Sequence, residues 1–214
     1  MRRLSIGIRA FWGRYKLLFY ILRHPFDGFY VMKFENKGTL WVAFINFMLL
    51  WLSVSFNNQY ASILVDQRYP LSLNSLRDGS SLLGFLILWS AANWSVTSLA
   101  GGEGRFKDII MANCYALTPI ILTFIPATLL SNVMTGDETA FYFMLINIGL
   151  VWFLMLAFVG MVTVHNYTAG KAFATLFLTV IAMLIIVFLI GLLIILWQQM
   201  LTFAFGIYRE LQFR

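Results

Sequence analysis

Five long apolar runs constrain this chain more than any other feature. They extend from Leu40 to Phe56, Ser81 to Ala100, Ile109 to Leu130, Ala140 to Val164 and Ala172 to about Trp197. None of them contains Asp, Glu, Lys or Arg. Crossing about 30 Å of hydrocarbon takes about 20 apolar residues in an α-helix. A helix also satisfies its own backbone hydrogen bonds where no water can. Each run therefore reads as one membrane span. The expected fold is all-α: a polytopic bundle of five transmembrane helices preceded by an N-terminal amphipathic helix at the membrane surface. A soluble globule is excluded by composition, since 61% of the 214 residues are apolar and 11% are charged, against about 45–50% and about 25% in ordinary soluble domains. The single cysteine, Cys114, leaves neither a disulfide framework nor a cysteine-based metal cluster.

The chain divides into a basic amphipathic region, 1–38, and a five-span membrane domain, 39–214. Arg2, Arg3, Arg9, Arg14, Lys16, Arg23, Lys33 and Lys37 all precede the first run. They are interleaved with Leu4, Ile6, Ile8, Phe11, Trp12 and Tyr15. Cations beside a broad apolar and aromatic surface suit a helix lying on an anionic leaflet, so Arg2, Arg3, Arg9, Trp12, Arg14 and Lys16 are expected to contact the membrane surface. The same placement argues against nucleic acid as a partner, although the formal net charge is +6. With the N-terminus inside, eleven basic residues fall on the cytoplasmic side, Arg105, Lys107 and Lys171 joining the first eight. Four fall outside: Arg68, Arg77, Arg209 and Arg214. The positive-inside rule then places the N-terminus in the cytoplasm and the C-terminus outside.

Within the spans the polar groups are neutral, among them Asn46, Asn93, Asn113, Tyr115, Thr118 and Asn147. Such groups can bridge helices by hydrogen bonds, and the absence of ionisable residues argues against an ion-coupled carrier. Trp51, Trp94 and Trp152 lie deep enough that their indole N–H groups should need partners inside the bundle. Pro119 and Pro126, two turns apart in the third run, predict a bent, buried helix with both rings on one face. No phosphate-binding glycine loop, zinc-binding HExxH or nucleophile elbow occurs. His24 and His165, in separate segments, read as turn or interface residues rather than ligands. No cofactor or metal and no catalytic set is expected, and the chain reads as a non-enzyme.

The connection between the second and third runs holds Gly101, Gly102, Glu103, Gly104, Arg105, Phe106, Lys107 and Asp108. Three glycines permit a tight reversal, the charges are balanced, and Asp108 suits the first turn of the following helix. The segment is a candidate cytoplasmic docking loop. Together with His24-Pro-Phe-Asp-Gly-Phe29, Trp94 through Asp108, Tyr115-Ala-Leu-Thr-Pro119, Trp152, His165-Asn-Tyr167 and Trp197-Gln-Gln199, it resembles the Yip-one domain family of Ypt/Rab-interacting, five-span membrane proteins, and within that family the bacterial branch. The resemblance covers about Pro25 to Glu210. It implies five helices, a cytoplasmic N-terminus and no catalytic activity. Eukaryotic members are linked to Rab-type GTPases, but this N-terminal region is short and basic and their signature blocks are not evident, so a small GTPase is a doubtful partner here.

The expected function, taken with the resemblance to the bacterial branch, is a multi-pass scaffold or accessory subunit of the cell (inner) membrane. Its partners would be the lipid bilayer and another membrane protein or a second copy of the chain, engaged through the cytoplasmic face. The competing expectation is a transport component, either a passive conduit or a permease-like subunit whose 101–108 loop docks on an ATPase.

Overall fold

The computed structural model describes residues 13, 15–65 and 74–212. Helix α1 covers 15–23 and is followed by α2 (Pro25–Lys33), α3 (Leu40–Tyr60), α4 (Ser75–Leu99), α5 (Phe106–Ala116) and α6 (Thr118–Ser131). A 3-10 turn at Gly136–Glu138 precedes α7 (Thr139–His165) and α8 (Ala169–Gln212). No strand occurs among the described residues. Five segments are long and apolar enough to cross a membrane: α3, α4, α5 with α6, α7 and α8.

Successive spans alternate in direction, so the bundle has two distinct ends. At one, here the loop face, the Lys33 ammonium donates to the Val164 carbonyl at 2.7 Å. At the opposite face the Ser62 amide donates to Ser131 Oγ at 3.0 Å, and Asn132 Nδ2 donates to the Tyr60 carbonyl at 2.8 Å.

Several helices outrun their apolar stretches, each for a visible reason. Helix α3 continues past Phe56 to Tyr60 because Asn57, buried there, donates to Thr128 Oγ1 at 2.8 Å and Tyr142 OH at 2.9 Å. Helix α4 begins at Ser75, where the Asn74 side chain accepts the amides of Leu76 and Arg77, both at 3.1 Å. That N-cap satisfies two of the donors a helix start leaves free. Helix α8 runs on to Gln212, 44 residues in all.

The third span is broken rather than smoothly bent, with a turn at Leu117 between α5 and α6. Pro119 has no amide to offer the Tyr115 carbonyl, and the Thr118 hydroxyl donates to that oxygen instead, at 2.8 Å. The neighbouring Cys114 carbonyl receives Asn46 Nδ2 from α3 at 2.7 Å. Freed backbone groups in a membrane must find such side-chain partners. Pro119 is buried whereas Pro126 is exposed. Seven residues apart in the unbroken α6, the two rings share one side of that helix, but only Pro119 is packed and marks the break; α6 continues through Pro126 without a second one.

The N-terminal helices form a hairpin inserted against the bundle. His24 separates α1 from α2, and Pro25 opens α2. A Cβ at Gly28 would lie 2.6 Å from Ile21 Cγ1 and 2.8 Å from Ile21 Cα, so the crossing of α1 over α2 needs glycine there. Phe29 is fully buried with its ring against Gly160 of α7. It joins Ile21, Met32, Tyr115 and Leu156 in the main apolar core. Of the expected membrane-surface residues, Lys16 is exposed, and Arg2, Arg3, Arg9, Trp12 and Arg14 lie outside the described residues.

Candidate functional site

The loop face gathers polar groups from four separate stretches of sequence. Helix α4 ends at Leu99, Gly101 adopts a left-handed φ of +66°, and the Gly102 amide donates to the Thr97 carbonyl at 2.8 Å. These two features turn the chain sharply toward α5. Helix α5 then starts at Phe106 with Asp108 in its first turn, where one carboxylate oxygen accepts the Arg105 amide at 3.3 Å and Arg105 Nε at 3.0 Å. Asp108 is 1% exposed. It is thus a buried anchor of the helix start and not part of the docking surface, which corrects that part of the sequence reading.

The loop rests on the end of α7. His165 is buried, and its Nδ1 accepts the Gly104 amide at 3.4 Å. Its ring stacks on Tyr167 at 5.3 Å between centroids, and the Tyr167 hydroxyl donates to the Thr97 carbonyl at 3.3 Å. Asn166 takes the left-handed conformation, with φ of +54°, that ends α7 and lets these two rings face the loop. The fit is close: a Cβ at Gly102 would lie 2.6 Å from His165 Nδ1 and 2.7 Å from Tyr167 OH, and one at Gly104 would lie 2.6 Å from His165 Cε1. Gly102 and Gly104 therefore serve contact with His165 as well as chain reversal.

Lys33, at the end of α2, completes the arrangement. Besides bonding to Val164 it lies 3.8 Å from Glu103, and Asn166 Nδ2 reaches the other Glu103 oxygen at 3.4 Å. Burial pulls the Lys33 ammonium below the usual lysine range, opposed by the Glu103 and Asp108 carboxylates and reinforced by Arg105. Lys171 sits over the Tyr167 ring at 4.3 Å. Burial also pushes the Tyr167 hydroxyl above the usual tyrosine range.

What remains outward is a charged rim. Glu103, Arg105, Phe106 and Lys107 are exposed, and Phe106 packs edge-on against Trp94, centroids 6.1 Å apart. Trp94 is itself 46% exposed, so its expected place inside the bundle is corrected: it sits on the outward side of α4. Trp51 does meet the expectation, its indole donating to the Ser75 carbonyl at 2.7 Å.

The cleft beside the cluster, lined by Trp89, Asn93, Asn113, Met161, His165 and Leu176, has a volume of about 20 Å³, room for one water and too little for a metabolite. Among the described residues no group of His, Cys, Asp and Glu is placed to hold a metal ion. The arrangement can present charges on a fixed frame.

Sequence reading found the loop and missed its anchors. Lys33 and His165 lie 61 residues or more from Glu103 or Gly104 in the chain, and neither carries a local signal of the partner it meets. The one available hint was the pairing of His165-Asn-Tyr167 with the glycine segment in the resemblance.

A family model, the Yip1 domain, matches residues 19–191. The chain belongs to the Yip1 domain family. The matched region runs from α1 through the first half of α8, and so includes every contact of the loop-face cluster. No curated protein and no solved structure matches the chain.

Proposed function

We propose that this Yip1 domain protein is a non-enzymatic membrane scaffold, binding another membrane protein through its loop face. Its carrying observation is the contrast within the 101–108 segment. Gly102, Gly104 and Asp108 are turned inward and fixed by His165, Tyr167 and Arg105, while Glu103, Arg105 and Lys107 project from that frame. Charges held on an anchored loop recognise a partner without the cost of ordering the loop first. Rim charges of this kind act chiefly on the rate and selectivity of encounter.

The loop face is read as cytoplasmic. Among the described residues Lys33, Lys37, Arg105, Lys107 and Lys171 lie at this end, and Arg77 and Arg209 at the other, the asymmetry that the positive-inside rule expects of a cytoplasmic face. Lys16 and Arg23, exposed on α1, extend the basic surface toward the lipid headgroups.

Affinity purification in mild detergent, with wild type beside Arg105→Glu/Lys107→Glu, tests the proposal. A partner retained by the wild type and lost from the variant supports it. The same set of proteins recovered with both, or none with either, overturns it.

A further inference from the structure

Helix α8 is too long for the membrane it crosses. Its 44 residues extend about 66 Å at 1.5 Å per residue, more than twice the hydrocarbon thickness of about 30 Å. It is anchored at the loop face, where Ala172, Thr175 and Thr179 are its only buried residues and Lys171 covers Tyr167. Apart from Thr175 and Thr179, the helix from Ala172 to Trp197 is apolar, and it is about 39 Å long. That stretch carries a moderately tilted helix to the far interface, where the Trp197 indole suits the headgroup layer. Residues 198–212 are then left over, and all fifteen are exposed.

The character of the helix changes at that point. At 100° per residue, Gln198, Gln199, Thr202, Gly206, Arg209 and Glu210 fall within about 120° of the helix circumference. Leu201, Ala204, Phe205, Tyr208 and Leu211 fall on the remaining arc, where Gln212 is the one polar residue. The span before it shows no such division. Phe203, Phe205 and Leu211 are each 65–71% exposed, and an apolar face of that kind does not stand in water as a projecting rod. The Yip1 domain match stops at residue 191, so this segment also lies beyond the family region.

We propose that residues 198–212 form a second membrane-surface helix, lying on the leaflet opposite the loop face with its apolar arc in the boundary between headgroups and acyl chains. Lipid is the occupant because the face continues directly from a spanning helix at the depth where the bilayer ends, and because its broad apolar arc and narrow polar one match an interfacial helix. Helix α8 is continuous through this point, and lying on the leaflet requires it to bend at Gln198–Gln199, the first polar residues after Trp197. The chain is thereby held at both faces of the membrane: by α1 and α2 at one, and by the end of α8 at the other.

Spin labels placed singly on the full chain test this. Cys114 is the only native cysteine and is buried, so a Cys114→Ala background permits Met200→Cys, Thr202→Cys, Ala204→Cys, Arg209→Cys and Leu211→Cys in turn, with Leu184→Cys as a mid-span reference. Each tested position is exposed, so labelling leaves the packing intact. The protein is placed in vesicles of phosphatidylethanolamine and phosphatidylglycerol, and access to oxygen and to a water-soluble nickel chelate is measured. A surface helix gives oxygen access at 200, 204 and 211 and nickel access at 202 and 209, out of phase with a 3.6-residue period and at constant depth. Nickel access that climbs with residue number on all sides means a rod standing in water and overturns the proposal. Spin–spin broadening with both reagents excluded from 200, 204 and 211 means that a second copy covers the face, and overturns it equally.

Discussion

Gly104→Ala and His165→Ala, singly and together, isolate the contact that fixes the loop. The added Cβ at Gly104 would lie 2.6 Å from His165 Cε1, 2.9 Å from His165 Nδ1 and 2.8 Å from Val164 Cγ1, so two of its three nearest obstacles belong to one imidazole. Overpacking of this kind costs about 1–3 kcal/mol. His165→Ala removes a buried ring and leaves the Gly104 amide without its acceptor, at about 1–3 kcal/mol. In the double variant the methyl enters space that the ring has vacated, so the two costs should not add. We expect a total at least about 1 kcal/mol below the sum of the single effects, within the range known for residues in contact. Reversible unfolding in mixed micelles, followed by tryptophan fluorescence, measures all four proteins. Gly84→Ala, where nothing lies within 4 Å of the new Cβ, is the control and should leave stability unchanged or slightly raised. Additivity within about 0.5 kcal/mol, or a Gly104→Ala protein as stable as the control, would refute the close packing of loop on histidine.

Asn57→Leu removes the buried amide that joins α3 to α6 and α7, and strands the Tyr142 hydroxyl. The loss should be about 1–3 kcal/mol, whereas Asn147→Leu, on the exposed side of α7, should fall within about 0.5 kcal/mol of wild type in the same unfolding assay. Trp51→Phe forfeits the indole bond to the Ser75 carbonyl and should cost about 0.6–1.7 kcal/mol, read from the unfolding midpoint. Lys33 supplies a pH test. Its ammonium titrates below the lysine value of the unfolded chain, so between those two values the unfolded state holds more protons and folding is favoured as pH rises. The wild-type stability minus that of Lys33→Met should therefore increase from neutral pH toward about 10.5; a flat or falling difference counts against the burial of that charge.

The five spans are legible in sequence because the requirement that makes them, an uncharged run long enough for hydrocarbon, is local. Their ends are less so. Asn57 looks like the close of a span, yet it is a buried bridge whose partners Thr128 and Tyr142 lie more than 70 residues away. The break in the third span could be anticipated from Pro119, but its position at Leu117 depends on Asn46 reaching across from α3 to the Cys114 carbonyl. At the loop face, Gly101–Gly104 announces a reversal, while the reason Gly102 and Gly104 tolerate no side chain is His165. That reason belongs to tertiary packing, as does the burial of Asp108, which by charge alone belongs with the exposed residues beside it. Trp94 shows the converse: depth counted along a helix does not tell which side faces outward.

A photo-crosslinking residue at Lys107, compared with one at Val133 on the opposite face, where the side chain is 83% exposed, tests the scaffold role most directly. Irradiation in intact membranes should give a discrete adduct from position 107 that disappears when Arg105 is replaced by Glu, and no corresponding adduct from position 133. Equal adducts from both positions, or a position-107 adduct indifferent to the charge at 105, would contradict recognition through the loop face.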